Sequence, residues 1–270
     1  MNHQATLPPR IPTFSANAHV NCLVALVAIL CTVSASCRRA SDLLYASAEM
    51  GTKMIQIEVQ GDNKATTKLI GQTGTVGCIS LALSPSGTLY SMCGPGGGSP
   101  GPQQLATIDL QTGHANPFGM VVNGFTVMAL KFAPDGTLYA VGDSNSISPT
   151  FNSFYTVDAK TGALTRVGST GAPSFFMDFA FDRKGTMYAA TSLALYTIDP
   201  KAGTATKVVD FVGGSSVMGL AFSRDANKLY ATDFKTPVSD FYLVDTKTGH
   251  LRPIAATGYA NSHNLVLVNR

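Results

Sequence analysis

Six polar side chains are of a type that could meet at a ligand: Asp143, Asn145, Asp178, Asp233, Asp240 and His263. Carboxylates, an amide and an imidazole are the groups that hold a divalent cation or activate a water. Asp178 is the sharpest of them, set among Phe176, Met177 and Phe179. A carboxylate in such company either holds an internal partner or contacts a ligand. Lys131 is its candidate partner, in a slot otherwise filled by Ala82, Ala180, Ala221 and Val266. Asp143-Ser144-Asn145 is a fragment of a calcium loop without the loop's glycine and distal glutamate. There is no HExxH, no CxxC and no complete EF-hand loop, so no metal is expected from a motif.

Other apparent chemistry dissolves on inspection. Gly97-Gly98-Ser99-Pro100-Gly101 fits the GxSxG nucleophile elbow, but no helix follows and Pro100 has no N–H for an oxyanion hole. Gly96, Gly98 and Gly101 fit GxGxxG, again with no helix to receive a pyrophosphate. Glu58, Asp109, Asp158, Asp199 and Asp245 read as one recurring slot before a turn, where a carboxylate caps backbone N–H groups two or three residues on. His114 and His250 follow two of those turns and read as solvated. Cys78 and Cys93 flank a hairpin; with Leu83 opposite Thr88 they face each other and form a candidate disulfide. No cofactor is expected.

The elements that must position these residues come from an internal repeat. LALSPSGTLY (81–90), LKFAPDGTLY (130–139), FAFDRKGTMY (179–188) and LAFSRDANKLY (220–230) are one phrase. LATIDLQTG (105–113), FYTVDAKTG (154–162), LYTIDPKAG (195–203) and FYLVDTKTG (241–249) are a second. Tyr90, Tyr139 and Tyr188 are spaced by 49 residues and Tyr230 follows at 42. Periods of this size indicate a solenoid or propeller. The apolar runs are short, rich in β-branched and aromatic residues and bounded by turns, so they are strands. Each unit reads as strand A, an SPxG-like turn, strand B, a variable loop, strand C, a DxxTG turn and strand D. The fold class is therefore all-β, a five-bladed β-propeller with four-stranded antiparallel blades. Leu43–Ala46 is a strand B without its A, and Asn264–Val268 a strand A without its B. Their pairing is predicted to close the fifth blade and remove the free sheet edges.

These SPxGTLY and IDxxTG phrases resemble the exported WD40-, YVTN- and NHL-like propeller repeats over nearly all of residues 43–270. The resemblance implies a fold and very little about function. The Trp-Asp pair of WD40 repeats is absent because the chain has no tryptophan.

Residues 1–36 read as a signal peptide. Leu23–Val33 is an apolar run too short to span a bilayer comfortably, and small residues follow at Ser34, Ala35 and Ser36. Cys37 after Ser-Ala-Ser resembles a lipobox and is a lipidation candidate, although Ser34 stands where that pattern prefers leucine. Residues 37–42 are a linker, and 43–270 the propeller. The expectation is a secreted, periplasmic or cell-surface protein with no transmembrane span in the mature chain.

With 19 Lys and Arg against 16 Asp and Glu, and no basic run beyond Arg38-Arg39, nothing marks a nucleic-acid binder. The A–B and C–D turns are generic and share one face; the B–C and D–A loops vary and share the other. Variable loops on a rigid scaffold are where binding resides. The expected function is a non-catalytic binding module for a protein, glycan or small molecule. The alternative is a metal-dependent hydrolase or lactonase using Asp178, Asn264, Asp143 and Asp233.

Overall fold

The computed structural model describes residues 41–94, 101–124, 126–142 and 151–268. The signal region, Cys37, Asp143, Asn145 and most of the 96–101 glycine stretch lie outside the described residues. Ser41–Arg270 forms one compact unit.

Twenty strands make five four-stranded antiparallel sheets. Blade I contains β1 (Asp42–Ala48), β2 (Lys53–Val59) and β3 (Ala65–Gln72). Blade II contains β4 (Ala82–Leu83), β5 (Leu89–Cys93), β6 (Gln103–Ile108) and β7 (Ala115–Val122). Blade III contains β8 (Val127–Phe132), β9 (Leu138–Gly142), β10 (Ser153–Val157) and β11 (Leu164–Ser169). Blade IV contains β12 (Asp178–Phe181), β13 (Met187–Ala190), β14 (Ala194–Ile198) and β15 (Ala205–Asp210). Blade V contains β16 (Ser216–Phe222), β17 (Leu229–Phe234), β18 (Asp240–Val244) and β19 (Leu251–Ala256). The last strand, β20 (His263–Leu267), returns to pair with β1 as the innermost strand of blade I. Leu44 faces Leu267 and Ala46 faces Leu265 across that closure.

The core is divided among the seams between blades. Phe154 of blade III packs with Phe176 and Phe179 of blade IV, and Leu195 of blade IV with Leu220 of blade V. Tyr230 and Phe241 of blade V meet Leu44 and Ile57 of blade I, so the seam that joins the chain ends is as apolar as the others. Inner strands are buried on both sides and read as continuous apolar runs, whereas outer strands such as β3 and β15 are mostly exposed.

The recurring Asp before each C–D turn serves the turn. One carboxylate oxygen of Asp158 accepts from the N–H groups of Lys160 and Thr161, and Asp109, Asp199 and Asp245 do the same with their own followers. The backbone N–H bonds from Lys160 hold Asp158 below its ordinary pKa, and those from Lys247 act likewise on Asp245. The glycine that ends each turn, Gly162 for example at φ 73°, is left-handed. Blade I corrects the expected series. Glu58 lies within β2, opposite Leu43 and Thr66, and the turn position belongs to Gln60, whose N–H donates to Lys64.

The register of the first full hairpin is also corrected. Leu83 pairs with Leu89, not with Thr88. Cys78 and Cys93 are nevertheless joined, with a Cα–Cα distance of 4.1 Å. A bulge explains both facts. In blades III and V the register slips by one residue between Val127 and Ala129, and between Val217 and Gly219. The same slip ahead of β4 returns Cys78 to a place opposite Cys93. The bridge lies in the core between blades I and II. It spans 15 residues, so its loss is expected to cost about 3 kcal/mol. Urea midpoints of the oxidised protein and of Cys78→Ser/Cys93→Ser check this; coincident midpoints would overturn it.

Candidate functional site

The start of each strand A lines the axis, and five equivalent residues meet there: Ser80, Ala129, Asp178, Gly219 and Asn264. All five are buried, and Ser80, Ala129, Asp178 and Asn264 have no exposed surface. Asp178 and Lys131 form a buried ion pair at 2.6 Å. The same carboxylate oxygen accepts from the N–H of Phe179, and the other from the N–H groups of Leu220 and Leu265. Lys131 also donates to the carbonyl of Leu81. Asn264 accepts from the N–H of Leu81 and donates to the carbonyls of Met128 and Met177. Two side chains and one ammonium thus tie all five blades together at the axis. Burial is the largest influence on the pair, raising Asp178 and lowering Lys131 from their ordinary pKa values.

Above this network Ile79, Met128, Met177 and Met218 pack as an apolar plug, with Phe175 against it. His263 holds the corresponding place of blade I in the sequence. It is 4% exposed, lies edge-on to Phe234 with centroids 5.8 Å apart, and its buried Nε2 has no hydrogen-bond partner among the described residues. Burial pushes its pKa down to about 4.

Asp233 of β17 and Asp240 of β18 come together across the loop that joins these strands in blade V. Asp233 is fully buried and accepts from the N–H of Asp240 and the hydroxyl of Tyr242, while its carbonyl accepts from Ser239 Oγ. Burial raises its pKa. Asp240 forms an ion pair with Lys235. This arrangement braces the loop from within. Of the six residues nominated from sequence, Asp233 and Asp240 are adjacent and His263 reaches the same loop through Phe234. Asp178 is separate, on the axis. Among the described residues no group of three or more His, Cys, Asp or Glu side chains is gathered to hold a metal ion.

The feature that sequence reading missed is apolar and exposed. Leu193, in the β13–β14 turn, is 72% exposed, and Val212, in the β15–β16 connection, 54%. The N–H of Phe211 donates to the carbonyl of Leu193, and Val212 bridges to the end of the blade V C–D turn, its N–H donating to Gly249 and its carbonyl accepting from Leu251, so Leu193 and Val212 lie where blades IV and V adjoin. Val76 is likewise exposed in the β3–β4 connection. Of the other exposed large apolar residues, Leu69, Met120, Val121 and Val208 lie on D strands and Phe234 ends β17, and none is in an A–B or C–D turn among the described residues. A leucine in the short turn Ser192-Leu193 was the available signal.

Fold and axis together define a five-bladed β-propeller repeat protein. More particularly, residues 44–263 match the family described as a repeat of unknown function, DUF6923, and the chain belongs to it. No curated protein matches the chain. Among solved structures it is similar to a chain of a nidogen/laminin complex, with a TM-score of 0.54 at 12% identity, covering 85% of this chain and 98% of that one. A 6-phosphogluconolactonase-like protein from Bacteroides fragilis gives 0.48 at 12% identity, covering 87% and 99%. A gluconolactonase from Xanthomonas campestris gives 0.48 at 13%, covering 84% and 80%. At these identities the likeness is one of fold. No helix of the described residues is long and apolar enough to cross a membrane.

Proposed function

We propose that this protein is an exported, non-catalytic binding module that presents the B–C and D–A connections to a macromolecular partner. The observation that carries the reading is the exposure of Leu193 and Val212 on these connections, set against A–B and C–D turns that expose no large apolar side chain among the described residues. Exposed apolar groups on a rigid scaffold are a usual basis for protein association. A hydrolase built on Asp178 and Asn264 is disfavoured on chemical grounds. Both oxygens of Asp178 are already accepting, and Asn264 uses its oxygen and nitrogen inside the axis. Export follows from the Leu23–Val33 segment and the small residues before Cys37.

Expression of the whole chain in its source cell tests both parts. The mature N-terminus is expected at Cys37 in an exported fraction, and mass spectrometry of that peptide distinguishes a free from an acylated cysteine. Quantitative cross-linking in that fraction should capture one saturable partner. Leu193→Lys/Val212→Lys is expected to reduce capture at least about tenfold, the effect of losing roughly 1.4 kcal/mol of apolar contact, whereas Lys160→Glu in a C–D turn leaves it unchanged. Equal loss from both variants would overturn the assignment of the face, and an intact N-terminus in the cytoplasm would overturn export.

A further inference from the structure

A cavity of about 280 Å³ opens at the axis on the opposite side of the ring, among the A–B turns. Its wall draws on every blade: Leu83, Phe132, Phe181, Phe222 and Leu267 are among the apolar side chains that line it. Arg183 and Arg224 also line it, from adjacent blades IV and V, and Lys131 lies on its inner side. The volume is at the small end of ligand pockets.

The two arginines depart from the repeat. In blades II and III the first residue after the end of the strand A phrase, at this point of the A–B turn, is Pro85 or Pro134. Proline is what the turn favours there, because its fixed φ suits the second turn position. Blades IV and V place Arg183 and Arg224 at that point instead, so the turn does not account for them. Two acids neighbour them, Asp182, which also lines the cavity, and Asp225, and each has one carboxylate oxygen engaged within its own turn. Asp182 accepts from the N–H groups of Lys184 and Thr186, and Asp225 from Ser223 Oγ and the N–H of Asn227. The Arg183 guanidinium makes no hydrogen bond or ion pair among the described residues. Arg224 offers one long bond, 3.4 Å, to the carbonyl of Ser41. Lys131 has three N–H donors and uses two, on Asp178 and Leu81, and its side chain is 8% exposed. An apolar wall with unspent cations at the mouth and one spare donor within is complementary to an anion carried on an apolar body.

We propose that the turn end of the axis binds a small organic acid, a carboxylate or phosphate on an apolar body, held at the mouth by Arg183 and Arg224. This site is distinct from the apolar surface of Leu193 and Val212 and stands whether or not that surface binds a partner. Guanidinium groups recognise the planar oxygens of either acid, and the aliphatic or aromatic part displaces water from Phe132, Phe181 and Phe222.

Calorimetric titration of the purified chain with octanoate, octyl phosphate, octanol and octylamine tests it. One equivalent of each anion is expected to bind, octanol more weakly, and octylamine not at all. Raised salt should weaken the anions, since the cations at the mouth are exposed. Arg183→Glu/Arg224→Glu should weaken octanoate about tenfold or more while thermal stability is kept. Arg183→Pro, which restores the residue of the other turns, gives a second variant compatible with the fold and should weaken it less. Leu193→Lys should leave binding unchanged. Absence of binding by both anions, equal binding of octylamine, or unaltered octanoate affinity in the double arginine variant would each overturn the proposal.

Discussion

Replacing Asp178 by alanine is expected to lower the unfolding free energy by about 3–5 kcal/mol, the usual cost of leaving one member of a buried ion pair alone. The structure says why the loss should be at the upper end. Lys131 would keep only the carbonyl of Leu81 as a partner in a site with almost no solvent. In addition the N–H groups of Leu220 and Leu265, on strands of two further blades, would lose their shared acceptor. An unsatisfied buried donor costs about 1–3 kcal/mol by itself. Asp178→Asn should be milder, since an amide oxygen still accepts from those two groups. Lys131→Met combined with Asp178→Asn should recover part of the remainder, because the uncompensated charge is gone. Guanidinium midpoints of the four proteins give the ranking. If Asp178→Ala unfolds within about 1 kcal/mol of the parent, below the range for a broken buried pair, the axial network does not hold the blades together.

The contrast between what could be read in advance and what could not follows from the range of the interactions. The blades were legible because each turn carries its own local chemistry. Asp158 caps the two N–H groups that follow it, and Gly162 takes the left-handed angle, whatever lies elsewhere in the ring. Closure was legible because Leu43–Ala46 and Asn264–Val268 each lacked a partner that the other supplied. The Cys78–Cys93 neighbourhood came with the wrong hairpin register, since a bulge has no strong local signature and shifts one strand by one residue. Glu58 was misassigned because the β1–β2 ladder of blade I runs two residues further, to Asp42 and Val59, so the turn begins after the acid. Asp178 could be seen as unusual and Lys131 as its partner. Its other acceptor bonds could not, because Leu220 and Leu265 come from strands 42 and 87 residues away. The variable loops offer no repeat against which to judge a residue, which is why nomination by position placed Asp233 and His263 on a face where the structure buries them. Reading the A–B turns as generic passed over Arg183 and Arg224, although they differ from Pro85 and Pro134 at an aligned position.

Acidification from pH 7 to pH 5 is expected to destabilise the protein by about 2 kcal/mol through His263 alone. Its folded pKa, about 4, lies below the ordinary value of 6.5 because burial disfavours the imidazolium. Between those values the unfolded chain binds the proton and the folded chain does not. The contribution to stability is therefore complete above pH 6.5 and is lost progressively as pH falls toward 4. The turn aspartates do not interfere in this window. Asp109, Asp158 and Asp245 have lowered pKa values, so their contribution fails only below the ordinary carboxylate range. Asp233, raised by burial, acts in the opposite sense, favouring the fold at low pH and losing that contribution as pH rises through its folded pKa. The comparison that isolates His263 is thus with a variant rather than with theory. The repeat supplies the replacement, since methionine stands at the aligned positions Met128, Met177 and Met218. His263→Met removes a buried Nε2 that has no partner among the described residues and keeps an apolar side chain beside Phe234. At pH 7 it should be neutral or stabilising. From pH 7 to pH 5 it should lose about 2 kcal/mol less than the parent. Urea midpoints at half-unit steps between pH 7.5 and pH 5 would show the two curves diverging on the acid side. Parallel curves would mean that the folded protein accommodates the imidazolium, and that the seam between blades V and I admits water at His263.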